Sequence, residues 1–329
     1  MAHILKSLNK PVSKRSFRIA ALTVIVIEVL FFALGYIKQY NPVKALSNNI
    51  ATTAVPTPLA TVYASFENPL AKPMAVAIVN RRMYVSDTNN QRIQVFDYDG
   101  NPLSIFGSKG DKPGQFSFPY GIVGDSQGQI YVADLYNGNV SIFSPDGKFL
   151  KYLGAKGNFD RPAGLAFDAG KIYVTDVGKN SVSVYSMDGE KLLSFGKAGK
   201  GPGELASPNC VTHVNGKIYV TDTGNDRVEV FDDQGKFLSL IDGKTAAKSF
   251  SSIINPRGIV VDGNGTIYVV SSLTSKVQMF NQKGEAILSF GEGGTDDGQF
   301  QLPNGLTLDD QGRLYVTDTV GARIVIFSK

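Results

Sequence analysis

An all-β, six-bladed β-propeller of four-stranded blades, its last blade closed by an N-terminal strand and preceded by one transmembrane helix, is the fold this 329-residue sequence predicts. Three observations lead there. An aliphatic-Tyr-Val triplet recurs six times, with tyrosines at 84, 131, 173, 219, 268 and 315, so the steps of 42 to 49 residues fit one four-stranded blade per repeat. The 35 glycines supply the many tight turns such strands need. A single apolar run of blade-unlike character stands near the N-terminus.

Taken in order, residues 1–18 form a basic tail. Residues 19–37, IAALTVIVIEVLFFALGYI, hold one strongly ionisable group, and at ~1.5 Å per helical residue they span a hydrocarbon layer of ~30 Å. Five Lys or Arg precede the run, so the positive-inside bias keeps the N-terminus cytoplasmic and places the rest outside. A run this long, this far from the first residue and without a close A-x-A site reads as an uncleaved anchor rather than a signal peptide. Glu28, near its midpoint, calls for a partner helix in the membrane or stays protonated. Residues 38–60 contain Pro42, Pro56 and Pro58 and no apolar periodicity, which suits an extended tether.

The propeller is expected over residues 61–329. Each repeat opens on a Pro-x-Gly-type turn and an apolar strand, as at Pro162, continues into the Tyr-Val strand ending at an aspartate, then an alternating strand and a fourth after a glycine turn. The sixth repeat stops one strand short. Residues 61–66, TVYASF, resemble the fourth-strand residues 192–195, LLSF, and are expected to complete it, removing the open edge.

Residues 222–231, DTGNDRVEVF, and 87–96, DTNNQRIQVF, resemble NHL repeats. The resemblance covers about residues 61–329 and implies the fold, while the family spans protein-binding, RNA-binding, sensor and enzyme members. Nucleic acid is not expected here: six of the 33 basic residues, against Glu28 alone, lie in the first 38 positions, leaving 27 basic and 28 acidic groups beyond them.

Asp87, Asp222 and Asp318 are each followed five residues on by arginine and should pair across a hairpin, filling the space a calcium ion would need. The six tyrosines read as blade-to-blade core, and Cys210, the one cysteine, as a small buried residue. The residue after each repeat proline should meet the central channel. The occupants are Met74, Tyr120, Ala163, Asn209, Arg257 and Asn304, of which Tyr120, Asn209, Arg257 and Asn304 offer stacking or hydrogen-bonding groups for a ligand. His213 reads as structural, since two histidines cannot build an imidazole metal site. The stretch around Gly196 to Gly201 lacks the Lys-Ser/Thr of a phosphate loop.

No catalytic residue, metal or cofactor is therefore assigned. The expected function is a membrane-anchored extracytoplasmic binding or scaffold module that recognises a protein, peptide or envelope glycan on the propeller face, with Glu28 available to a membrane-helix partner. The alternative is a channel-centred metal-dependent lyase or lactonase-like hydrolase. The lyase-like members use histidines that are absent here, and a lactonase-like site would need acids beside Asn209 and Asn304.

Overall fold

A computed structural model describes residues 55–243 and 253–328. The basic tail, the 19–37 span with Glu28, residues 38–54 of the 38–60 tether and most of the long connection before Asn255 lie outside them. Among the described residues, no helix is long and apolar enough to cross a membrane.

Six antiparallel four-stranded sheets follow one another. Blade 1 comprises Pro73–Val79, Arg82–Asp87, Arg92–Phe96 and Pro102–Phe106. Blade 2 comprises Pro119–Gly124, Ile130–Asp134, Asn139–Phe143 and Phe149–Tyr152. Blade 3 is built from Pro162–Asp168, Lys171–Asp176, Ser181–Ser186 and Lys191–Phe195. Blade 4 contains Pro208–Val214, Lys217–Asp222, Arg227–Asp232 and Phe237–Ile241. Blade 5 has Pro256–Val261, Ile267–Ser271, Lys276–Phe280 and Ala286–Phe290. Blade 6 has Pro303–Leu308, Leu314–Asp318 and Arg323–Phe327, with Pro58–Val62 as its fourth strand.

The two middle strands of each blade are buried on both faces; the Tyr-Val strand reads accordingly as a near-continuous apolar run, while the third keeps its alternation, its polar side chains buried as well. Six apolar cores lie between successive blades, and each takes the Tyr-Val tyrosine of one of them: Tyr84, Tyr131, Tyr173, Tyr219, Tyr268 and Tyr315. Six cores for six blades make a closed ring, and the tyrosines have the packing role expected of them. Burial of that many aromatic rings, at about 25 cal/mol per Å² of apolar surface, is the main source of cohesion between blades.

The Pro-x-Gly signature has a steric cause. A Cβ on Gly164 would stand 2.5 Å from Cα of Cys210 in the next blade, and one on Gly305 would stand 2.6 Å from the Met74 carbonyl oxygen. The inner strands approach too closely there for most side chains.

Closure occurs as expected, but through Pro58–Val62 rather than residues 61–66. Ala60, Thr61 and Val62 face Ile326, Val325 and Ile324, whereas residues 63–66 leave the sheet and Phe66 is fully exposed. The prolines made residues 56–60 look like tether. An outermost strand has one unpaired edge, so the N–H that Pro58 lacks is not required there.

Candidate binding face

Pro162 pairs with Asp176, the last residue of the Tyr-Val strand, and the same register recurs in every blade. The starts of the inner strands, the turns after the strand-two acid and the long blade-to-blade connections therefore share one face.

The aspartates tie that face together. Arg92 Nε meets Asp87 at 2.7 Å, Arg227 meets Asp222 at 2.8 Å and Arg323 meets Asp318 at 3.0 Å, as the hairpin spacing predicts. Asp134 accepts hydrogen bonds from the Ser117 and Phe118 amides, and Asp176 from those of Asp160 and Arg161. In blade 5 the Ser271 hydroxyl accepts from the Ile254 amide instead. These buried acids organise loops; their oxygens are spent on N–H donors.

Inside the ring lies a cavity of about 200 Å³ lined by the inner strands. The residues after the prolines gather at one end of it. Tyr120 donates its hydroxyl proton to Asn209 Oδ1 at 2.8 Å and stands 3.4 Å from Asn304 Oδ1, while Asn304 Nδ2 donates to the Met74 carbonyl at 2.7 Å. Met74, Tyr120 and Ala163 pack as a small apolar cluster with Phe118, Leu135 and Val177 around it. Three of the four expected site residues thus converge, but mainly on one another: they form a plug. Arg257 does not join them; its Nε donates to Asn255 Oδ1 at 2.8 Å, and it is absent from the cavity lining.

Cys210 lines the cavity half-buried, and burial pushes its thiol up, away from thiolate reactivity. His213, near the opposite end, is clamped by Asp168 at 2.7 Å through Nδ1 and by Asp233 at 2.6 Å through Nε2, and it stacks on Tyr173 with centroids 4.8 Å apart. Burial, with Asp233 and Asp168 adding, pushes Tyr173 up to about 12. Among the described residues, no group of three His, Cys, Asp or Glu could hold a metal ion. At the plug, the oxygens are amide and phenol groups already engaged, and a hard divalent cation would need carboxylates beside them.

Two further columns of the same face escaped the sequence reading. The residue before each proline gives Lys72, Phe118 and Arg161, and the second residue after the strand-two acid gives Tyr136, Leu273 and Val320, exposed by 66%, 65% and 59%. Phe118 contacts Tyr136 with centroids 4.7 Å apart and Tyr120 at 6.3 Å, and Lys72 Nζ stands 5.3 Å above the Phe118 ring. The available signal was the same one used for the channel: each of these columns varies in type from repeat to repeat, the first of them beside an invariant proline.

A family model described as SMP-30/Gluconolactonase/LRE-like region matches residues 74–175, and one described as NHL repeat matches residues 300–327. NHL repeat-containing protein 3 of Homo sapiens is 33% identical over 78 residues, 23% of this chain and 22% of that protein, so the match spans about a fifth of the human relative. A streptogramin B lyase structure superposes with a TM-score of 0.60 at 14% identity, covering 83% of this chain and 98% of the other. An auxiliary nutrient binding protein from Bacteroides ovatus gives 0.62 at 13% identity, over 83% and 75%. At such identities the solved structures share the fold with this chain.

Proposed function

We propose that this chain, an NHL-repeat six-bladed β-propeller, works as a membrane-anchored extracytoplasmic binding module whose plugged face recognises a protein, peptide or envelope glycan. The observation that carries the reading is the plug. The Tyr120 hydroxyl links the amide oxygens of Asn209 and Asn304, and Asn304 is held to the Met74 carbonyl, so buried side chains fill this end of the channel. There they form the floor of the site and Arg257 its accessible fork, with exposed Tyr136, Leu273 and Val320 around them. Apolar surface left exposed on one face of a protein is what an interface requires.

The anchor belongs to the same proposal. Residues 19–37 hold the propeller outside the membrane with the N-terminus cytoplasmic, and Glu28 offers a contact to another membrane helix. Protease added to sealed right-side-out membrane vesicles will cut the propeller while an epitope placed before Lys6 stays protected until the vesicles are opened. The reverse pattern overturns this placement.

The alternative, a channel-centred metal-dependent lyase or lactonase-like hydrolase, draws on the family match over residues 74–175 and the likeness to a lyase fold. It replaces the binding reading if the purified chain takes up one divalent cation per molecule and loses it in Asn209→Ala and Asn304→Ala.

A further inference from the structure

Resting on the face reading proposed above, we infer that the ligand is an acidic peptide segment bearing apolar side chains. Three columns meet on the plugged face: the residues before and after each proline and the second residue after each strand-two acid. Across all six blades these eighteen positions hold Lys72, Arg161 and Arg257 and no carboxylate. The chain from residue 39 onward is otherwise balanced in charge, so this is a local selection of sign.

The cations are available. Lys72 is exposed and sits over Phe118 with no ion pair among the described residues, and Arg257 is half-buried with, among those residues, only its Nε hydrogen-bonded, to an amide oxygen. Arg161 is partly offset, its Nε standing 4.0 Å from Asp160 with both side chains half-exposed. The nearby Asp226 carboxylate accepts the Asn255 amide proton at 2.8 Å. An ammonium over an aromatic ring, with guanidinium groups on blades 3 and 5 of the same face, matches carboxylates set beside hydrophobic groups, and such complementarity sets partner choice and on-rate.

The apolar groups choose between kinds of anion. Tyr136 and Phe118 present ring surface that a sugar or a peptide side chain can use. Leu273 and Val320, more than half exposed, are aliphatic and offer nothing to a hydroxyl-rich acidic glycan. They fit Leu, Ile or Phe side chains of a peptide.

The test is selection from a displayed random-peptide library on the immobilised full-length chain in detergent, followed by affinity measurement for the selected peptides. Enriched sequences will combine Asp or Glu with aliphatic or aromatic residues, and binding will weaken as salt rises. Lys72→Ala with Arg257→Ala, and separately Tyr136→Ala with Leu273→Ala, will each weaken it roughly tenfold or more while the melting temperature holds. Selected peptides without acid enrichment that still lose affinity in Tyr136→Ala overturn the charge preference and leave the binding face standing. Selected peptides indifferent to both double variants overturn the inference and the face together. Uronate oligosaccharides that bind more tightly than any selected peptide, and that depend on Lys72 and Arg257 but not Leu273, overturn the peptide assignment in favour of an acidic glycan.

Discussion

Blades 1 and 4 carry the same hairpin, Asp-x4-Arg-x-polar, with an amide at the polar position in one, Gln94, and a carboxyl in the other, Glu229. In blade 1, Arg92 pairs with Asp87 and reaches Asn68 Oδ1 and the Pro69 carbonyl, while Gln94 Nε2 donates to Asp87 Oδ2 at 2.9 Å. In blade 4, Arg227 pairs with Asp222 and grips the carbonyls of Lys200, Gly201 and Glu204, and the residue facing it is Glu229, which it meets at 2.8 Å. One guanidinium thus serves two buried carboxyls. Burial pushes Glu229 up to about 7; Arg227 pulls the other way, and Asp222 opposes it. A single amide-to-acid exchange at this position is thus expected to make a scaffold hairpin pH-dependent.

The largest expected effect comes from removing the shared cation. Arg227→Met leaves Asp222 and Glu229 buried beside each other and should cost about 3–5 kcal/mol in denaturant unfolding at pH 8. Arg92→Met should cost roughly half as much: both aspartates keep a backbone amide and an asparagine as donors, but Asp87 also keeps Gln94 where Asp222 would face the Glu229 carboxyl. Equal losses at the two sites would erase the contrast.

Next in size is the exchange of the distinguishing group. A carboxyl raised in the folded state favours folding most at low pH, so the benefit of protonated Glu229 is complete below its ordinary 4.5 and disappears as the pH climbs through about 7. Over that window the wild type should lose on the order of 3 kcal/mol from this residue. Glu229→Gln should flatten the profile, and Gln94→Glu should create a similar slope in blade 1, both read from melting temperature against pH. A wild-type profile unchanged by Glu229→Gln would place the titration elsewhere.

The smallest effect concerns Glu204, in the loop Arg227 holds. The Gly201 amide and Lys197 lower its carboxyl, so its contribution has the opposite sign: present above the ordinary carboxylate range and lost as pH falls. Glu204→Gln should raise amide hydrogen exchange at Lys200 and Gly201 at pH 7 with little change in global stability.

The six-fold column of Tyr-Val pairs disclosed the ring because every blade must bury the same strand, and the Asp87–Arg92 spacing disclosed the hairpins because strand register dictates it. Pro58 was misread because a proline excludes a central strand but not an outermost one. The position of Tyr120, Asn209 and Asn304 at the channel end was legible. Their mutual hydrogen bonds were not, since these join residues 89 and 184 positions apart across the ring. The same distance hid Lys72 and Phe118, whose meeting depends on neighbouring blades. Glu229 was visible as the acid in a column otherwise holding Gln94, Ser141, Ser183, Gln278 and Val325, yet its protonation follows only from burial.

The seam between Pro58–Val62 and Arg323–Phe327 also sets a timetable. The first β-segment of the ring has no partner until residues 323–327 have been made, so closure of the toroid is the last of its strand pairings to become available. Until then an unsatisfied strand edge stands open at each extremity, and any chaperone serving this molecule has those two edges to guard.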